Sequence, residues 1–212
     1  MLTANSQVLE KDQWELERER RLHFFGKGQI IPLLPQGIWQ VHQGLIQLTM
    51  LSASGDEVLL GWAGEGNFFG LWLTILQAYN ATAVSNVHLK WFSVKEIEGS
   101  PRISQIIALQ LKQRIQQSEA LLAIAGQRHV EERLKQLLLL LKQEMGQPVP
   151  GGTRLNIRLT HQHIASAIST TRVTITRLLS KLQQQGWIIL DRDRHIVIPS
   201  TIQEIPLVRN SI

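Results

Sequence analysis

Residues Thr160 to Leu182 constrain this chain most. They read Thr-His-Gln-His-Ile-Ala-Ser-Ala-Ile-Ser-Thr-Thr-Arg-Val-Thr-Ile-Thr-Arg-Leu-Leu-Ser-Lys-Leu. Ile164, Ala165 and Ile168 recur at the spacing of a short helix with one buried side, and Val173, Ile175, Leu178, Leu179 and Leu182 form a second apolar set. Thr160 is placed to cap the first helix and Thr170 or Thr171 the second, because a threonine hydroxyl accepts an orphan backbone N–H. About three residues separate the two helices, which forces a sharp turn and predicts a helix-turn-helix. If the second helix buries Val173 or Ile175 with Leu178, Leu179 and Leu182, then Arg172, Thr174, Thr176, Arg177 and Lys181 face outward. Such a face suits a major groove: arginine can bond guanine O6 and N7 together, and threonine can hold phosphate or touch a thymine methyl. A plain helical hairpin with a solvated basic side has the same pattern.

The charge distribution bears on that choice. Residues 1–144 hold 14 Lys/Arg and 14 Asp/Glu, whereas residues 145–212 hold eight and three, so the whole net charge of +5 lies in the last third. A neutral body with a basic C-terminal part is the electrostatic footprint of a nucleic-acid-binding module. There is no cysteine, which excludes disulfides, thiolate zinc sites and a cysteine-bound iron–sulfur cluster. The first 13 residues have no apolar core, which predicts no signal peptide, and no apolar stretch approaches the ~18 residues of a membrane span. These features suit a cytoplasmic protein.

Upstream, Trp14 to Leu22 predicts a peripheral helix. From Phe24 to Val94, short apolar stretches (Gln29–Leu34, Ile38–His42, Leu45–Leu51, Val58–Ala63, Val87–Val94) alternate with glycine or polar turns. Strands at such intervals indicate a small barrel or β-roll. Phe68 to Leu73 breaks the pattern and predicts a short helix. After Pro101 a helix is expected to Ala125, with Ile103, Ile107, Leu111, Ile115, Ser118, Leu122 and Ala125 at steps of three and four. A helix of ~24 residues is ~36 Å long, more than a domain this small needs for its own core. That predicts a two-fold dimer along the stripe. Gly126 marks a hinge, His129 to Met145 a further helix, and Gly146 to Gly152 a loop. Arg154 to Leu159 alternates as a strand, and Trp187–Leu190 with His195–Ile198 forms a hairpin, a wing beside the helix pair. The expected division is 1–22 peripheral, 23–100 β-roll, 101–126 dimer helix and 127–212 winged helix.

With this order of parts, and with Leu159 to Leu179 above all, the chain resembles the cAMP receptor protein/Fnr superfamily of bacterial transcription regulators. Through Thr171-Arg172-Val173-Thr174 it is similar to the nitrogen-control branch. The resemblance implies an α+β fold with an N-terminal cyclic-nucleotide-binding-like jelly roll. It also implies a homodimer that reads an inverted repeat with GTA-like half-sites. Arg172, Val173 and Arg177 would then read bases. Thr160, His161, Thr171, Thr174, Thr176, Lys181, Arg158, Arg192 and Arg194 would hold the DNA backbone, and Ile107, Leu111, Ile115 and Leu122 would join the dimer. The family contacts RNA polymerase through surface loops, here Ser54–Glu57 and Gln147–Gly152. Ser169 stands where the family turn has glycine, so its backbone is expected at positive φ.

The sensor half departs from the family. In cAMP-binding members Phe-Gly is followed by glutamate, and an Arg-Ser or Arg-Thr pair holds the phosphate. Here Phe69-Gly70 is followed by Leu71, and the phosphate stretch reads Tyr79-Asn80-Ala81-Thr82-Ala83. Without that arginine cAMP lacks its charge partner. The nitrogen-control branch senses 2-oxoglutarate, which makes Phe69, Gly70, Leu71, Trp72 and Arg128 the effector candidates. Arg128 serves equally as a hinge ion pair with Glu131 or Glu132. A small-ligand sensor for such an anion, acting mainly through protein partners, is the alternative function. No cofactor is otherwise indicated. His161 and His163 point apart on a helix, and the remaining histidines form no metal spacing. No nucleophile elbow or Walker loop is present, so no enzyme is expected.

Overall fold

The computed structural model describes residues 21–53, 55 and 57–202; the helix expected over Trp14–Leu22 falls, but for its last two residues, outside them, as do Ser54 and Asp56 of the loop Ser54–Glu57. Seven strands come first: β1 (His23–Phe25), β2 (Gly37–Gln43), β3 (Ile46–Leu51), β4 (Glu57–Ala63), β5 (Phe68–Phe69), β6 (Tyr79–Ala83) and β7 (Val87–Ser93). They form one sheet in the order β1-β7-β2-β5 and another in the order β4-β3-β6. β2 and β7 run antiparallel with Trp39 opposite Trp91, whose rings meet edge to face at 4.8 Å. Buried Trp39 also donates its indole N–H to the Pro32 carbonyl at 2.8 Å. The Gln29–Leu34 stretch is no strand. Ile30 makes a single bridge to Thr82 there, and Pro32, lacking an N–H, cannot extend a ladder.

Phe69-Gly70 leads into a 3-10 turn at Leu71–Leu73, as the broken pattern predicted. Gly70 has φ 151, and a Cβ there would lie 3.1 Å from the Ile38 Cα, so both the dihedral and the space require glycine. A short helix missing from the sequence reading, α1 (Val94–Gly99), follows β7. Ser93 and Glu96 close a capping box at its start: the Ser93 N–H donates to Glu96 Oε2 at 2.8 Å, and the Glu96 N–H to Ser93 Oγ at 3.3 Å.

The long helix α2 (Pro101–Ala125) forms as expected, but its stripe is rotated. Ile107 is 4% exposed and packs with Ile103 in one core together with Ile38, Phe68, Phe92 and Ile97. It therefore cannot serve as a seam residue. Among the exposed positions of the helix, one row runs Ser104, Ala108, Leu111, Ile115, Ser118, Leu122, Ala125. Its steps of four and three are a strict heptad pattern. Leu111, Ile115 and Leu122 of the expected stripe remain on it.

The chain divides into two compact units, one of the described residues up to Ile46 with Trp62–Gln77 and Ala81–Gln110, the other of Gln47–Gly61, Ala78–Asn80 and Leu111 onward. The second unit contains α3 (Val130–Met145), β8 (Gly146–Val149), β9 (Gly152–Leu155), α4 (His161–Ala167), α5 (Arg172–Gln184), β10 (Ile189–Leu190) and β11 (Ile196–Pro199). The Gly146–Gly152 segment is thus not a loop. It forms the antiparallel β8–β9 hairpin, with Pro148 opposite Thr153. The strand order β10-β11-β9-β8 puts β8 on the edge, where a proline costs no ladder bond. The strand expected over Arg154–Leu159 ends at Leu155. Leu134, Leu137, Leu138, Leu141, Leu155, Ile164, Ile175, Leu182 and Ile198 are buried in this unit.

Candidate nucleic-acid interface

Each helix of the α4–α5 pair is started by a threonine. The Thr160 hydroxyl accepts the His163 N–H at 3.1 Å, and the Thr171 hydroxyl accepts the Thr174 N–H at 3.2 Å. Thr171 rather than Thr170 therefore caps α5, and such a cap is worth roughly 1 kcal/mol. Between the helices Ser169 adopts φ 51, so a side chain occupies a turn that favours glycine, as expected. The Thr170 N–H closes the turn on the Ala165 carbonyl at 3.0 Å. Ile175, Leu178, Leu179 and Leu182 are buried, and α5 ends where Gly186, at φ 70, turns the chain.

Burying that set leaves Arg172, Val173, Thr176, Arg177 and Lys181 exposed. Val173 is 79% exposed, far from the buried position that an apolar residue in an ordinary hairpin would take. Several of the polar groups already work locally. Thr176 Oγ1 lies 2.9 Å from the Arg172 carbonyl and 2.8 Å from His161 Nδ1, and the Thr171 and Thr174 hydroxyls are 2.9 Å apart. Lys181 reaches Glu131 of α3 at 2.5 Å, and Glu131 also pairs with Lys135 at 3.2 Å. Hydrogen bonds from Lys181, then from Lys135, hold the Glu131 carboxyl below its ordinary pKa. An open hollow of about 410 Å³ lies between the start of α3 and α5, lined by His129, Glu131, Glu132, Thr174, Arg177 and Leu178 among others.

The wing is held from its base by Arg154 on β9, a residue that sequence reasoning passed over. Its Nε donates to Asp191 Oδ2 at 2.7 Å, and its Nη2 lies 2.7 Å from His195 Nδ1 and 3.5 Å from Asp193 Oδ2. Asp191 Oδ1 accepts the N–H groups of Asp193 and His195 at 2.9 and 2.8 Å. Partial burial pushes the Asp191 carboxyl up, but the His195 N–H, Arg154 and the Asp193 N–H outweigh it and hold the pKa down. Asp191, Asp193 and His195 thus converge on a cation supplied by the chain itself. Arg192 and Arg194 stay exposed at the tip, and Arg194 takes φ 60. Arg158 is exposed before α4.

The effector candidates are scattered in character. Phe69 and Gly70 are buried, Leu71 is half-buried, Trp72 is 44% exposed, and Arg128 is exposed between α2 and α3. Glu131 and Glu132, considered as partners for Arg128, pair instead with lysines. Tyr79 is buried, which pushes its phenol up to about 12. A phenol is neutral at pH 7 even without that shift, so Tyr79 cannot replace an arginine facing an anion. The cation coupled to it is Arg114, on α2. Burial pulls the Arg114 guanidinium's pKa down, against the pull of Tyr79 and Glu144. Arg114 Nη1 donates to Gln117 at 3.3 Å, and Gln117 Nε2 to Glu144 of α3 at 2.8 Å. In the sequence Arg114 and Gln117 are visible only as polar residues on a long helix. No described helix is long and apolar enough to cross a membrane.

A Crp-like helix-turn-helix domain model matches residues 132–201. The chain is 31% identical over 169 residues to the global nitrogen regulator of Synechococcus elongatus, covering 74% of this chain and 75% of that protein. It is also 31% identical over 182 residues to the regulatory protein CysR of the same organism, covering 84% of each. Among solved structures, a CRP/FNR family transcriptional regulator from Thermus thermophilus superposes with a TM-score of 0.68 at 21% identity, covering 84% of this chain and 93% of that one.

Proposed function

Because the chain belongs to the Crp/Fnr family of transcription regulators, we propose that two copies, joined along the exposed row of α2, set their α5 helices into successive major grooves of one duplex. The observation that carries this reading is α5 itself: a capped helix that buries four apolar side chains and leaves Arg172, Val173 and Arg177 exposed on its outer surface. Arg172 and Arg177 supply the paired donors that guanine accepts, and Val173 supplies an apolar contact for a thymine methyl. Arg158, Lys181, Arg192 and Arg194 contact phosphates and set the register. Thr160, Thr171, Thr174 and Thr176 act mainly by fixing the backbone and side chains around them. The two-fold axis of the dimer makes the operator an inverted repeat with half-sites about one turn, ~34 Å, apart, and the resemblance to the nitrogen-control branch implies a GTA-like sequence in each half.

Selection of bound duplexes from a random pool tests this directly. The expected product is an inverted repeat with GTA in each half, bound with an affinity that falls steeply with salt. Recovery of no preferred sequence would defeat the reading. Repeating the selection with 2-oxoglutarate and with cAMP shows whether either ligand changes occupancy.

A further inference from the structure

We infer that His161 is a proton-linked phosphate contact whose tautomer is set by Thr176. The Thr176 hydroxyl has one hydrogen. A carbonyl can only accept, so the 2.9 Å contact with the Arg172 oxygen uses that hydrogen. The 2.8 Å contact between the same Oγ1 and His161 Nδ1 then needs a proton on Nδ1. A neutral imidazole carries a proton on one nitrogen only, so neutral His161 presents a bare Nε2, which is an acceptor. A phosphate oxygen is also an acceptor, and the two repel. A second proton on Nε2 turns the repulsion into a charge-assisted hydrogen bond and leaves the Thr176 contact intact.

The surroundings suit this role. His161 opens α4 and is half-buried, while Arg158 precedes it and Arg172 and Arg177 stand on α5, all exposed. Among the described residues Thr176 is the single hydrogen-bond partner of the ring, and no carboxylate pairs with it. His163, two residues along α4, is the other titratable group of that helix. The anion that rewards a protonated His161 is therefore a backbone phosphate of the duplex, and binding takes up a proton. The sign follows: affinity rises as pH falls. Thr176 thus acts through His161 and is a positioning residue.

This inference rests on the DNA-binding reading, and one experiment separates the two. The affinity of the full-length protein for a labelled 30-base-pair duplex is measured by fluorescence anisotropy from pH 6 to pH 8 at constant ionic strength. Circular dichroism checks that each variant is folded. Wild type is expected to lose affinity as pH rises, by at most about tenfold per pH unit for each histidine engaged. His161→Gln, which cannot take up a proton, loses that slope. His161→Arg also loses the slope but keeps the low-pH affinity. Thr176→Val frees the neutral ring to carry its proton on Nε2, so its slope is shallower and its affinity at pH 8 exceeds that of wild type. An unchanged slope in His161→Gln overturns the phosphate contact, and an unchanged slope in Thr176→Val overturns the tautomer lock. Absence of salt-sensitive binding at any pH, in wild type as in the variants, defeats the DNA-binding reading itself.

Discussion

The helices α2 and α5 are both amphipathic, and they differ in what each leaves uncovered. α5 buries its leucines and isoleucine and exposes arginine, threonine and lysine, with Val173 the exception. α2 buries Ile103, Ile107, Ala120 and Ile124 and still exposes Leu109, Leu111, Ile115 and Leu122. A polar exposed face is at rest in water and needs a polar, oppositely charged partner to be worth covering. A row of leucine and isoleucine at heptad spacing is not at rest, since water gains when it is covered. The uncovered face of each helix is the ground for its proposed partner: nucleic acid for α5, a second copy of α2 for the other.

That contrast fails most visibly if Ile115→Glu leaves the protein unchanged. Ile115 is 58% exposed, and a two-fold seam would bury it twice. Two isoleucines at about 1.5–3 kcal/mol each give about 3–6 kcal/mol per dimer, so sedimentation should find the variant monomeric at concentrations where wild type is paired. Next in size is Arg172→Ala, expected to cost ~1–3 kcal/mol per half-site on the selected operator and much less on random DNA. Equal losses on both would move Arg172 from base reading to phosphate binding. Ser169→Gly acts within the motif by relieving a side chain held at φ 51. After the extra flexibility that glycine gives the unfolded chain, about 0.5–1 kcal/mol of added stability is expected in urea unfolding. The smallest effect belongs to Glu131→Gln, which releases Lys181. The exposed pair is worth less than about 1 kcal/mol, so non-specific DNA binding should tighten only about twofold. Because the Glu131 pKa is lowered, its hold on Lys181 is present above the ordinary carboxylate pKa and is lost as pH falls through the lowered value. The advantage of Glu131→Gln over wild type should vanish in that acid range.

The DNA-facing half was legible because its signals are local. Caps, a turn of four residues and the buried row of α5 all lie within 25 residues, and Thr160, Ser169 and Leu178 each behave as their sequence positions imply. The stripe on α2 was misassigned by one position at its start. Ile103 and Ile107 reach Leu111 by repeated steps of four, whereas strict alternation of four and three leads back to Ala108 and Ser104, and the core containing Phe68 and Phe92 takes both isoleucines. The β8–β9 hairpin was hidden by its prolines and glycines, which read as a loop until an edge position makes Pro148 harmless. The α1 helix was readable, since Ser93 and Glu96 are a capping box in plain sequence, but six residues give too little periodicity to notice. Arg154 and Arg114 were passed over for a different reason. Asp191 and His195 lie far along the chain from Arg154, as do Tyr79 and Glu144 from Arg114, and nothing local distinguishes either from a surface arginine.

Arg154 limits how the tip of the wing can be exchanged. Its guanidinium serves two carboxylates and an imidazole that all belong to the β10–β11 connection, although the arginine itself sits on another hairpin. A tongue borrowed from a relative would arrive without its anchor unless the donor strand came with it. The two hairpins are therefore one heritable module, and substitutions at Arg192 and Arg194 on a fixed tip disturb it less than replacement of the tip.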